Sequence, residues 1–158
     1  MISQHIIIEG LPATGKSEIS NLLKIYFPTN LRILPELTTT IVQEHKFNIL
    51  KERNRMTELL KKYLEKRINE IRILKDEFSK NKKDLIILEE SHLGVHWAYS
   101  NVVNDKYFLD EYENYFKVNI YEPDFYIRLY ISPDLSYKRQ IARNTPDVEV
   151  TPNIIAKM

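Results

Sequence analysis

The sequence predicts an α/β fold built around a parallel sheet, on three observations. Short, continuous apolar runs recur along the chain between Gly, Pro and polar turn residues, as strands buried on both faces require. The segments between them carry apolar residues at helical spacing. Strands and helices alternate from one end to the other, which is how parallel strands are joined.

Each element can be justified in order. Gln4 to Glu9 hold a run of isoleucines, the first strand. From Lys16 the period changes, with Ile19, Leu22, Leu23, Tyr26 and Phe27 on one helical stripe until Pro28 stops it. A second apolar run, Leu31 to Leu34, ends at Pro35-Glu36. One long helix is predicted from about Glu44 to Lys80, its stripe formed by Met56, Leu60, Tyr63, Leu64, Ile68, Ile71, Leu74 and Phe78. A polar turn then feeds a third strand, Leu85 to Leu88. Two aromatic-rich helical stretches follow, around Val95 to Val103 and Lys106 to Phe116. In the fourth strand, Phe125, Ile127, Leu129 and Ile131 alternate with Tyr126, Arg128 and Tyr130, the pattern of a strand with one less buried side, at the edge of the sheet. "SPDLSYKRQIAR" reads as a capped helix with Pro133 at its first position.

Composition limits the function classes. The 158 residues make one domain, 1–158, with 43% hydrophobic and 28% charged residues. A net charge of +1 gives no one-sided basic field for nucleic acid or a membrane surface. Cysteine is absent, which excludes disulfides, thiolate chemistry and cysteine–zinc sites. There is no signal peptide and no apolar run of membrane-spanning length, so a soluble, cytoplasmic protein is expected.

The chemistry starts at "GLPATGKS", where two of only three glycines stand five apart beside a Lys-Ser pair. Gly10, Leu11, Pro12, Ala13, Thr14, Gly15, Lys16 and Ser17 fit G-x-x-x-x-G-K-S, between a buried strand and an amphipathic helix. That context marks a phosphate-binding loop. Backbone N–H groups of such a loop form an anion nest, with the positive end of the next helix behind it. Lys16 would reach the β- and γ-phosphates of ATP, and the Ser17 hydroxyl would ligate Mg²⁺. GTPases, motor ATPases and small-molecule kinases share this loop. No N-K-x-D segment follows a strand, since "NKKD" precedes one, and a motor ATPase normally needs a larger domain. A small kinase remains.

The order of features resembles the thymidylate kinase and deoxynucleoside kinase group over nearly the whole chain. The resemblance implies a P-loop NTPase three-layer sandwich with a parallel sheet, and an ATP- and Mg²⁺-dependent phosphotransferase acting on a small-molecule acceptor. "IILEESHLGVHWAYS" is similar to the family's D-R-Y/H or E-R-S segment after the third strand, except that the arginine is lost, to Ser91 or to Glu90 by alignment. Glu89 or Glu90 would then serve the metal, although a solvated turn also explains two adjacent glutamates. Glu36 falls where the family has the carboxylate that takes the acceptor hydroxyl's proton. Arg67 matches an arginine facing the nucleoside, or else snorkels at the edge of its helix. His92, His96, Trp97 and Tyr99 would line the acceptor pocket, with core packing the other explanation for Trp97. The histidines show no paired spacing for a metal.

Arg139 and Arg143, at i and i+4, resemble the lid arginines that neutralise the transferring phosphoryl; a lid is expected over about 138–152, mobile from Asn144 to Thr151. A basic helix end favoured by the macrodipole is the alternative. The family's fifth strand has no counterpart after "TPNIIAKM", which suggests an open sheet edge and a route to a homodimer. Three readings of function stay open: a nucleoside or nucleoside-monophosphate kinase, a kinase of a non-nucleoside hydroxyl compound, and a non-catalytic ATP-binding module.

Overall fold

The computed structural model describes residues 3–46, 51–143 and 156–157. Four strands are present: β1 (Ser3–Gly10), β2 (Leu31–Leu34), β3 (Leu85–Glu90) and β4 (Phe125–Leu129). They pair in parallel in the order β2-β3-β1-β4. The two runs richest in isoleucine and leucine thus occupy the centre, where both faces must be apolar.

Side chains alternate between the faces of each strand. On β3, Leu85 and Ile87 pack with Leu34 and with Ile71 and Phe78 of the long helix α3 (Arg53–Lys80). Leu88 packs the other way, with Ile8, Leu31 and the Ile19 and Leu23 side chains of α1 (Lys16–Tyr26). Helices therefore cover both faces. A third cluster holds α3 to α2 (Leu37–His45), α4 (Leu93–Val102) and α5 (Lys106–Glu111), around Leu60, Leu64, Phe108 and Phe116. α5 runs on through a π-helical turn, Tyr112–Phe116, into the single turn α6 (Lys117–Asn119). The chain then passes through β4 to α7 (Pro133–Ala142).

Three expectations need correction. The helix expected from about Glu44 to Lys80 starts only at Arg53, as α3; Glu44 and His45 are the last residues of a separate helix, α2, after which Lys46 turns left-handed at φ 50°. Threonines Thr38 to Thr40 hid α2, because β-branched residues weaken a helical signal. There, the Thr40 hydroxyl and N–H both return to the Glu36 carbonyl. β4 lies at the edge as predicted, but no side of it is well buried. Phe125, Tyr126 and Ile127 are 52%, 60% and 42% exposed. The apolar period of α1 also overstated its burial, since Leu22, Tyr26 and Phe27 are exposed.

α7 begins as its sequence predicted. Ser132 caps it by accepting from the Leu135 N–H at 3.2 Å, and Pro133 takes the first turn. Among the described residues no helix is long and apolar enough to cross a membrane.

Candidate active site

Ligands in open parallel sheets bind beyond the carboxyl ends of the strands, and the loop Gly10–Ser17 lies there. Gly10 is required by space: a Cβ would sit 2.7 Å from the Leu129 carbonyl oxygen. Gly15 caps α1 at φ 102°, a conformation that only glycine adopts without strain. Lys16 bends back over the loop and donates to the Gly10 carbonyl at 3.0 Å and the Leu11 carbonyl at 3.4 Å. Burial lowers its pKa, and the nearby carboxylates of Glu36, Glu90 and Glu9 oppose that shift. Three strand ends thus bring an acid towards one lysine.

Glu90 and Glu89 separate by the alternation of β3. Glu90 faces α1, and its Oε2 accepts from the Ser17 hydroxyl at 2.8 Å. A hydroxyl and a carboxylate oxygen side by side suit a hard cation that keeps part of its water shell. Glu89 faces α3 and is fully buried. Its Oε1 accepts from Arg67 Nη1 at 2.6 Å, and its Oε2 from the Tyr121 hydroxyl at 2.5 Å and His5 Nε2 at 3.1 Å. With both oxygens engaged beneath the site, Glu89 does not join Ser17. Burial pushes its pKa up, but His5, Arg67 and Tyr121 outweigh that and hold it low. The same setting pushes the Tyr121 phenol up, through burial and then the Glu89 charge. Among the described residues no group of three or more His, Asp or Glu side chains is arranged to hold a metal without other ligands.

Arg67 does not snorkel; it is buried at the centre of this network. Besides Glu89 it donates to the Pro35 carbonyl at 2.8 Å and lies 3.4 Å from Glu70 Oε2. Pro35 precedes Glu36, so a buried guanidinium anchors the backbone beside the acid that reaches Lys16. The Glu36 carboxylate also accepts from the Thr38 hydroxyl at 2.6 Å.

The four residues expected to form one acceptor wall lie in different surroundings. His92 caps α4, its ring edge-on to Tyr121 at 5.4 Å, and burial lowers its pKa. His96 packs edge-on against Phe108 at 4.5 Å, and burial pushes it down to about 4. Trp97, 42% exposed, lines a cavity with Glu9 and Arg128. Tyr99 is partly buried, with Arg53 and Asp105 as its charged neighbours. Three turns of one helix point these side chains apart.

α7 closes the other side of the loop. Ser136 Oγ donates to the Pro12 carbonyl at 2.7 Å, Arg139 Nη1 reaches the Ala13 carbonyl at 3.4 Å, and Arg143 pairs with Glu18. A cavity of about 510 Å³ opens between Thr14, Gly15, Glu18, Arg139 and Arg143. The lid expected to be mobile from Asn144 to Thr151 lies outside the described residues.

Sequence reasoning missed Glu9, His5 and Tyr121. Glu9 is two positions beyond Ile7 on one face of β1, so period-two counting puts it on the α4 side at the site. His5 shares that face with Glu9, and its position opposite α3 was equally countable. Tyr121 lies in a loop and gave no signal.

No protein-family model matches the sequence, and no curated protein matches it. Solved structures do match its fold. A deoxyadenosine kinase from M. mycoides with bound dATP aligns at a TM-score of 0.65 and 17% identity, covering 97% of this chain and 79% of its own. A second structure of that enzyme, with the products dCMP and a flexible dCDP bound, gives 0.67 and 18%, covering 97% and 78%. The chain shares the fold of these structures, a parallel sheet flanked by helices with the phosphate-binding loop after its first strand.

Proposed function

We propose that this protein transfers the γ-phosphate of ATP to a hydroxyl of a small acceptor of the nucleoside class. The observation that carries the reading is the convergence of Lys16, Ser17, Glu90 and Glu36 at the carboxyl ends of three neighbouring strands. Lys16 would leave the loop carbonyls for the β- and γ-phosphates, and partial burial would strengthen that contact. Ser17 and Glu90 would hold Mg²⁺, which neutralises phosphate charge during transfer. The acceptor oxygen would bond to the γ-phosphorus as the bond to the β–γ bridging oxygen breaks. Its proton would pass to Glu36, the carboxylate anchored through Pro35. Arg139 and Arg143 border a cavity beside Gly15, suited to the donor nucleotide, and would meet the phosphates by leaving Ala13 and Glu18.

Within this reading an uncharged acceptor is favoured over a nucleoside monophosphate. Arg67, the basic side chain expected to face the acceptor, already serves Glu89, the Pro35 carbonyl and Glu70. The fold relatives support a nucleoside kinase by likeness of fold alone. ATP consumption across a panel of nucleosides and their monophosphates is the test. Turnover on nucleosides is expected, with Lys16→Ala lower by about 10²–10³-fold. Folded protein that turns over no member of the panel would sink the proposal.

A further inference from the structure

The chain has three glycines, and the phosphate loop accounts for two of them. The third, Gly94, lies in the first turn of α4, where glycine is a poor helix former. Space explains it. A Cβ there would stand 3.1 Å from Glu9 Oε1 and 3.3 Å from Oε2, so the carboxylate at the end of β1 is seated on the start of α4. Its Oε1 accepts from the N–H of His92, 83 positions later, at 3.3 Å. His92 occupies the N-cap position, but its own side chain makes no capping bond. Glu9 therefore caps the helix from another element, offering an acceptor to a free N–H and a negative charge to the positive end of α4.

What this cap secures is the turn between β3 and α4. Glu90, which accepts from Ser17, is the last residue of β3, and Ser91 after it is left-handed at φ 61°. A serine keeps such a backbone only where its surroundings impose it. Two consecutive bonds to β1 impose it here. The Ser91 N–H donates to the Ile8 carbonyl at 2.9 Å, and the His92 N–H donates to Glu9. Glu9 also directly precedes Gly10, whose carbonyl receives Lys16 at 3.0 Å. One side chain thus joins the perch of the lysine to the turn that aims Glu90.

We infer that Glu9 is a positioning residue: by holding the β3–α4 turn it keeps the Glu90 carboxylate on Ser17, and so preorganises that pair for a divalent cation. This role rests on the proposed holding of Mg²⁺ by Ser17 and Glu90, and it adds a residue that acts on the site through its neighbours. Two oxygen donors already side by side bind a cation without first being ordered, and the ordering cost falls on the ligand's affinity when they are not. Gly94 belongs to the same device, since any larger residue there would push the Glu9 carboxylate off its seat.

The experiment is calorimetric titration of the full chain with a non-hydrolysable ATP analogue, once with saturating Mg²⁺ and once with the metal chelated. The ratio of the two Kd values is the metal's contribution, and general losses of fold or nucleotide affinity cancel from it. In Glu9→Ala that ratio should shrink by about tenfold or more, the scale on which groups behind metal ligands act. Glu9→Gln keeps an acceptor oxygen for the His92 N–H and should stay within about threefold of wild type. Gly94→Ala should behave as Glu9→Ala does, and should add nothing in the double variant, where no carboxylate is left to displace. A cap that served stability alone would lower the melting temperature of Glu9→Ala and leave the ratio as in wild type. That result, or Glu9→Gln as poor as Glu9→Ala, would overturn the inference. A wild-type protein whose Kd is the same with and without Mg²⁺ would instead sink the metal assignment itself, and this role with it.

Discussion

Removing Arg67 should expose how much of the site's framework rests on one buried pair. Arg67→Met leaves the Glu89 carboxylate fully buried with only His5 and Tyr121 as donors, and leaves the Pro35 carbonyl without its partner. Breaking a buried pair from one side costs about 3–5 kcal/mol, because the surviving charge stays desolvated. Against a total stability of about 5–15 kcal/mol for a native domain, that is a large fraction. With a urea m-value near 2 kcal/mol per molar, the unfolding midpoint should fall by roughly 2 M. Glu89→Gln should also destabilise, by leaving Arg67 with the Pro35 carbonyl and Glu70. The double variant Arg67→Met/Glu89→Gln should cost clearly less than the sum of the two, with a coupling of about 2 kcal/mol. Urea denaturation of all four proteins at pH 7, followed by circular dichroism, measures each value. Additivity within about 0.5 kcal/mol would show that the two side chains are energetically independent and refute the argument.

Three further outcomes are expected. Gly10→Ala should cost about 1–3 kcal/mol and lose nucleotide binding, because its Cβ must displace the Leu129 carbonyl 2.7 Å away; calorimetric titration with ATP checks it. His96 is held neutral with a pKa of about 4, below an unfolded value near 6.5, so its contribution is complete above about pH 6.5 and is lost as pH falls toward 4. The loss is on the order of 3 kcal/mol, and acid melts of His96→Leu should lack that slope. Glu18→Gln should free Arg143 and lower the KM for ATP by about two- to fivefold, the scale of an exposed ion pair; an unchanged KM would mean that Glu18 does not compete with the nucleotide.

What could be read from the chain depended on whether a residue's environment is set locally. The buried strands, the loop and the cap at Ser132 follow from their own few residues, and each appears where its pattern predicted. The pairing of Ser17 with Glu90 joins positions far apart, yet the strand-end rule brought them together without coordinates. Glu89 was read as a second candidate for the metal because two neighbouring acids look alike in sequence. Counting by twos from Leu85 and Ile87 separates them, since that face packs on α3. The acceptor wall failed for a different reason. His92, His96, Trp97 and Tyr99 are close in sequence but radiate from a helix, and which of them shares a cavity is decided by β1 and β4. The break between α2 and α3 was hidden because charged and leucine-rich sequence continues the helical composition on both sides.

Among the described residues no strand pairs with the outer flank of β4, which has a bearing on how the protein behaves at high concentration. Within the described sheet β4 is the last strand, and Phe125, Tyr126 and Ile127 on it have much of their area in solvent. Such a strand is a template for any other extended segment that meets it. With a net charge of only +1, long-range repulsion between molecules is weak, so encounters at this flank go largely unopposed. Arg128 is the one charge within the strand, and it guards the flank much as a lysine guards the rim of a natural sheet. Replacing a neighbouring apolar residue such as Ile127, which pairs with Ile8 two residues before the loop, with lysine should therefore extend the concentration range over which the protein stays dispersed.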